Sequence, residues 1–435
     1  KFDTSKVTDM SQMFKEDQKL KFINLPNKLV SPNVKSVSSM FYNCYALESL
    51  DVSSFDTSGC QKMNFMFYGC RSLKTLDVSK FITKNAEDLN GMFFECYSLT
   101  SLDLINFDTS KNKYFSNMFF DCYSLTSLDV SNFFSKESLS FMQMFKDCSN
   151  LTSLDVSKFE TSKATSFDKM FSNCKNLKYL DISNFNTQAV TSMFHMFSNC
   201  ESLTSLNFSN FNTENLAQSY NMFSNCYSLT SLDLSSFKTP KLTSLSDMFS
   251  NCISLEFLDI SNLDPSQAFD FSYLFYNNYK LSTLKIFKSG TSKATSMAHM
   301  FENCTELTSL DLTTFDISWC KDISYMFANC TKLENLNISN FETNLIRDMS
   351  YLFSNCTSLE TVDLSSFDTS SLTKMDYMFS HSGLKYLDLS TFNTLKVKTF
   401  SGVFEKCYGL NLILVEKNCK NLIETIPDYI NVTIL

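Results

Sequence analysis

A Met-Phe-x-x-Cys pattern returns every 26 residues along this chain, at Met40, Met66, Met92, Met118, Met144, Met170, Met196, Met222 and Met248. A fixed period of this size makes each repeat one coil of a solenoid, too small to bury its own apolar face and stable only against its neighbours. A globular chain of 435 residues is expected to split into two or three domains, but an unbroken repeat overrides that expectation. Alignment on the anchor gives about sixteen coils, the first beginning before Phe2, with one extra residue after Asp17 and one missing near Gly383. The predicted organisation is one elongated repeat domain over 1–408, with 409–435 as a last partial coil or C-terminal cap.

The coil from Leu151 to Cys174 shows the columns. Leu151, Leu154 and Val156 fit the leucine-rich-repeat spacing L-x-x-L-x-L. Leu154 and Val156 then alternate inward on a short strand while Asp155 points out, and stacking pairs the strands into one parallel sheet. Phe159 follows, in a column shared with Phe55, Phe81, Phe107, Phe133 and Phe185, which reads as a buried aromatic spine. Next, Ala164, Phe167, Met170, Phe171 and Cys174 are spaced three or four apart, predicting a short helical or 3₁₀ segment opposite the sheet. A short second strand near Val7 and Thr8 satisfies the same stretch. Gly and Pro are scarce, so the recurrent Ser-Asn-Phe and Ser-Asn-Cys triplets are expected to turn the corners.

The chain has 16 cysteines, most of them in one column that includes Cys44, Cys70, Cys174 and Cys330. Asp17, Asn278 and Ser382 each replace the thiol once in this column. The expected role is that of a small inward hydrophobe. Disulfides between coils are the alternative, but there is no C-x-x-C pair and no His or Asp placed to complete a zinc site. No metal site and no cofactor are expected.

On the outer side of the strand, Asp51, Asp77, Asp103, Asp129, Asp155 and Asp181 begin a column that runs on to Asp388. A hydroxyl-rich column, including Ser127 and Ser153, runs beside it. Like charges repeated at strand spacing repel, so the column needs a reason. One is structural, each Asp accepting hydrogen bonds from a neighbouring coil's hydroxyl or backbone. The other is a face that receives calcium or a basic partner, carboxylates being hard oxygen ligands. Asn207, Lys285 and Asn337 interrupt the column.

Several classes of function find no support. A net charge of -9 without any Lys/Arg cluster argues against a nucleic-acid partner. No run of 18 apolar residues exists to insert in a membrane. The catalytic patterns G-x-S-x-G, G-x-G-x-x-G, H-E-x-x-H and the Walker loop are missing, and His195 and His299 share one repeat column as surface variation. The sequence offers no catalytic residues. The chain opens inside a coil, so it is expected to be part of something longer, with any targeting or anchoring segment elsewhere.

The combination of L-D-V-S-x-F with M-F-x-x-C, repeated over nearly the whole chain, resembles the BspA-like leucine-rich-repeat family of surface proteins. That resemblance implies a right-handed leucine-rich-repeat solenoid at the cell surface or outside the cell, serving adhesion to a protein or matrix ligand. It brings no catalytic residues. A structural scaffold that assembles copies of itself through solenoid ends or edges is the alternative. Contact candidates are Asp129, Asp155 and Asp181 on the acidic face and the outward residues that break the ladders, Tyr179, Phe257, Lys285 and Tyr386.

Overall fold

A computed structural model describes residues 3–26 and 28–435; the expected opening of the first coil, before Phe2, lies outside them. By compactness the chain divides into two units, Lys1–Asn215 and Leu216–Leu435. Each is a stack of coils of the expected 26-residue period.

Regular strands are short and parallel throughout. In the first unit β1 (Ser153–Leu154) pairs with β2 (Tyr179–Leu180), with Leu154 opposite Leu180. In the second unit β3 (Phe257–Asp259) pairs with β4 (Thr283–Lys285), and β5 (Ser309–Asp311) with β6 (Asn335–Asn337). Near the C-terminus β7 (Tyr386–Leu389), β8 (Leu412–Val415) and β9 (Asn431–Ile434) form a three-stranded sheet, with α1 (Lys420–Ile423) between the last two. The expected single sheet is therefore present as short paired pieces along one leucine-bearing column.

The arc opposite the strands differs from the expected helix. Among the described residues α1 is the one helix, and the Met-Phe-x-x-Cys arcs are runs of turns. Two residues of each arc have positive φ, as Lys169 (55°) and Asn173 (61°) do in the coil described above. A right-handed helix admits no such residue. Alternate N–H groups instead leave the coil: those of Phe167, Lys169, Phe171 and Asn173 donate to the carbonyls of Ser192, Phe194, Met196 and Ser198. The groups between them close tight turns, Met170 N to Phe167 O and Cys174 N to Phe171 O. The i, i+3, i+4 spacing thus arises from consecutive four-residue turns, each returning a side chain to the interior. The second strand appears as isolated parallel bridges, Asp9 to Ser36 and onward to Ser140 in the first unit, and Ser244 onward to Thr399 in the second.

The core lies between ladder and arc. The Phe of the Met-Phe pair is stacked on its counterpart one coil away, from the half-buried Phe14 through the buried Phe41 and onward to Phe197, at 5.2 to 5.8 Å between centroids. The second unit repeats this from Phe223 to Phe404 at 5.4 to 6.0 Å. This column is the tighter spine; in the Phe159 column, Phe107, Phe133 and Phe159 are spaced at 6.4 Å. A fully buried Phe contributes about 1.5–3 kcal/mol, so these columns supply much of what holds adjacent coils together. Between them a buried hydroxyl column joins the backbones: Thr161 Oγ1 accepts from Asn186 N at 2.7 Å and donates to Asn186 O at 3.0 Å.

Candidate binding face

The thiol column is structural, with a detail the sequence reading missed. All 16 cysteines are free and buried. Along the main column Sγ groups donate to the carbonyl of the Phe in the preceding coil, Cys70 to Phe41 at 3.3 Å and Cys174 to Phe145 at 3.1 Å. Asn278, replacing Cys, donates its Nδ2 to the equivalent Phe249 carbonyl at 2.9 Å. The column therefore carries a hydrogen-bond donor as well as apolar volume. The signal was in the sequence: the three substitutes are Asp, Asn and Ser, none of them an aliphatic residue. Burial pushes these thiols up, Cys252 and Cys356 to about 12, which keeps them protonated and inert.

The left-handed positions are a second feature of this side. Asn43, Asn173, Asn251, Asn303, Asn329 and Asn355 hold φ near 60° just before the Cys, as the Ser-Asn-Cys expectation requires. The amides of Asn251, Asn277 and Asn303 each donate to the Asn of the preceding coil at 2.6 to 2.7 Å. The other positive-φ column, just before Met, contains His195 and His299. His299 is no isolated surface variant: its ring lies between Tyr273 (4.4 Å) and Tyr325 (4.5 Å), and Tyr351 and Tyr377 continue the stack.

On the strand face, inward Leu and outward Ser and Asp alternate as the period-2 geometry demands. Each outward Asp turns its Oδ1 onto the backbone N–H two residues ahead, Asp129 to Ser131 at 3.0 Å, Asp155 to Ser157 at 2.9 Å and Asp181 to Ser183 at 2.9 Å. The expected hydrogen-bonded role holds, but the partner lies in the same coil rather than a neighbouring one. The column is thus a row of Asx turns that carry the chain off the strand. Asn207 and Asn337 serve the same purpose through Oδ1, onto Ser209 and Ser339. The serine hydroxyl and N–H hold Asp129 and Asp181 below the usual carboxylate range.

Four of the seven candidate residues come together in the first unit. Asp129, Asp155, Asp181 and Tyr179 line one shallow depression of about 680 Å³ together with Ser127 and Ser153, and no basic side chain lines it. A similar depression around Asp51, Asp77 and Asp103 has no aromatic wall. In the second unit Phe257 and Lys285 form a separate cluster. Lys285 Nζ is 3.2 Å from Asp259 Oδ2 and 5.5 Å from the Phe257 ring centroid. Tyr386, on β7, is opposite Leu412 of β8 and belongs to neither group. No group of three or more His, Cys, Asp or Glu is close enough to hold a metal ion among the described residues. No helix there is long and apolar enough to cross a membrane.

Fold and face together define a repeat solenoid of leucine-rich-repeat type with an acidic, hydroxyl-rich outer strand face. The chain belongs to the family described as Mycoplasma protein of unknown function, DUF285, whose model matches 1–101, 35–154, 74–179, 139–256, 243–340 and 324–426. A comparison with curated proteins finds no match. Among solved structures, the chain is similar to a leucine-rich repeat protein from Bacteroides ovatus at 15% identity, covering 96% of this chain and 92% of that one with a TM-score of 0.42. It is also similar to a leucine-rich repeat protein from Eubacterium ventriosum (16% identity, 69% and 81% covered, TM-score 0.36). A leucine-rich cell surface protein from Faecalibacterium prausnitzii is a third (20% identity, 62% and 78% covered, TM-score 0.29).

Proposed function

We propose that this chain is a non-enzymatic binding module, at the cell surface or outside the cell, that holds a protein or matrix ligand on its outward strand face. The observation that carries this reading is the depression in which Tyr179 is 65% exposed beside Asp129, Asp155 and Asp181. Tyr is enriched among the residues that anchor recognition surfaces. The BspA-like repeat pattern supports the surface location and an adhesive role.

The test is capture on a panel of purified extracellular matrix proteins. The full chain is expected to bind at least one of them, and a quadruple variant (Y179S with D129N, D155N and D181N) to lose that binding while keeping its melting temperature within a few degrees. Equal capture by the variant sinks the proposal.

A second reading, self-assembly through an edge, draws on β9, whose residues are all exposed, Val432 and Ile434 among them. Sedimentation at rising concentration separates the two, since an edge-assembling chain grows with concentration. We further propose that 409–435 serves as the C-terminal cap of the repeat domain.

A further inference from the structure

We infer that the Tyr179-x-Asp181 strand end, with Asp155 and Asp129 beside it, is a receptor site for the ammonium group of a lysine side chain on the partner. The inference rests on the strand-face reading above and gives that face its ligand chemistry.

The chain contains its own precedent. In the second unit Phe257-Leu258-Asp259 has the same layout as Tyr179-Leu180-Asp181, an outward aromatic on a strand two residues before an Asp that ends β3 in one case and directly follows β2 in the other. There the arrangement is filled from within. Lys285, opposite Asp259 on the next strand, sets its Nζ 3.2 Å from the Asp259 Oδ2 and 5.5 Å from the Phe257 ring centroid. A carboxylate and an aromatic face acting together on one cation is a recurring way to hold an ammonium. Asp259 Oδ1 is engaged by the Ser261 N–H and hydroxyl, which leaves Oδ2 for the lysine.

In the first unit the position equivalent to Lys285, 26 residues beyond Asp181, is Asn207, which turns its own Oδ1 onto Ser209 N. No basic side chain lines the depression. Tyr179 is accordingly more exposed, 65% against 43% for Phe257. Asp181 Oδ1 is likewise engaged by Ser183 N. Asp155 and Asp129 follow at coil spacing, about 4.8 Å apart along a parallel sheet, a row matched to successive cations rather than to one convergent ion.

Two substitutions exchange the sites. Asn207→Lys supplies the missing internal lysine, and Lys285→Ala empties the occupied arrangement. Hexalysine is titrated into the full chain by calorimetry at low salt, with fully acetylated hexalysine and calcium chloride as separate probes. Wild type is expected to bind hexalysine and not the acetylated form. The number of sites is expected to fall by one in N207K and to rise by one in K285A, while Asn207→Met, which also loses the Ser209 hydrogen bond but adds no charge, leaves it unchanged. Equal stoichiometry in wild type, N207K and K285A overturns the inference, as does N207M behaving like N207K. Calcium displacing hexalysine, with loss of a calcium site in D181N, overturns it in favour of a metal. Matrix capture lost in the quadruple variant but unaltered in N207K leaves the face reading standing and removes only the ammonium assignment.

Discussion

At the scale of single residues, two columns meet conflicting demands with one side chain. The Cys column is small, apolar and a donor: its thiols lie in the core and, as at Cys174, add a hydrogen bond to a Phe carbonyl of the preceding coil. Replacing Cys174 by Ala is expected to cost about 0.5–1.5 kcal/mol, because the Phe145 carbonyl, which also accepts from Cys148 N, loses its second hydrogen bond. Cys174→Ser keeps a donor and should lose less; equal losses by chemical denaturation would show that volume alone matters. The Asp column is governed by its Asx turns. Asp129 is held low by the Ser131 hydroxyl and N–H, from an ordinary value of 3.8. A carboxyl that is more acidic folded than unfolded contributes stability that is complete above about pH 4 and disappears as pH falls through the folded value. Asp129→Asn, which keeps an acceptor as Asn207 does, is expected to retain the turn and lose only this dependence. Its melting temperature should differ from wild type at pH 7 and converge with it as pH falls below the lowered folded value of Asp129.

At the scale of the element, the strand was legible and the arc only half so. Leu154 and Leu180 announce inward strand positions by the leucine-rich-repeat spacing, and they occupy them in register. The arc's apolar residues were rightly placed inside, yet the same three-and-four spacing fits a helix and a chain of turns. What separates the two is backbone sign at Lys169 and Asn173, and Lys, Tyr and His occupy such positions here as well as Asn. Composition therefore gave little warning. Gly91 tests this geometry: its φ is 58°, and an added Cβ would be 2.5 Å from the Phe65 ring. Gly91→Ala is expected to destabilise by about 1–2 kcal/mol from the left-handed conformation alone, with more from the ring. Phe65→Ala should recover the second part and not the first, which a double-mutant cycle measures.

At the scale of the molecule, the repeat period made the architecture readable, while the candidate site was legible only as residues that break a ladder. Tyr179 and the three aspartates proved neighbours because strand register aligns equal columns; Tyr386 broke the same ladder and joined no group, since the coil after it brings Leu412. Removal of 409–435 strips β8 and β9 from β7. It is expected to lower the melting temperature by several degrees and to increase light scattering. The alternate N–H groups of the arc carry a further consequence. In coils of regular length each reaches a carbonyl 25 residues ahead, Val37 to Lys62 and Phe41 to Met66 alike, so the bonding is indifferent to which coil comes next. Duplication of one whole period preserves every such bond on both sides of the insertion, whereas a half period aligns donors with side chains of the wrong column. Length in this lineage is thus free to change in steps of one coil, and a binding patch such as that around Tyr179 can be moved, copied or spaced without redesigning its support.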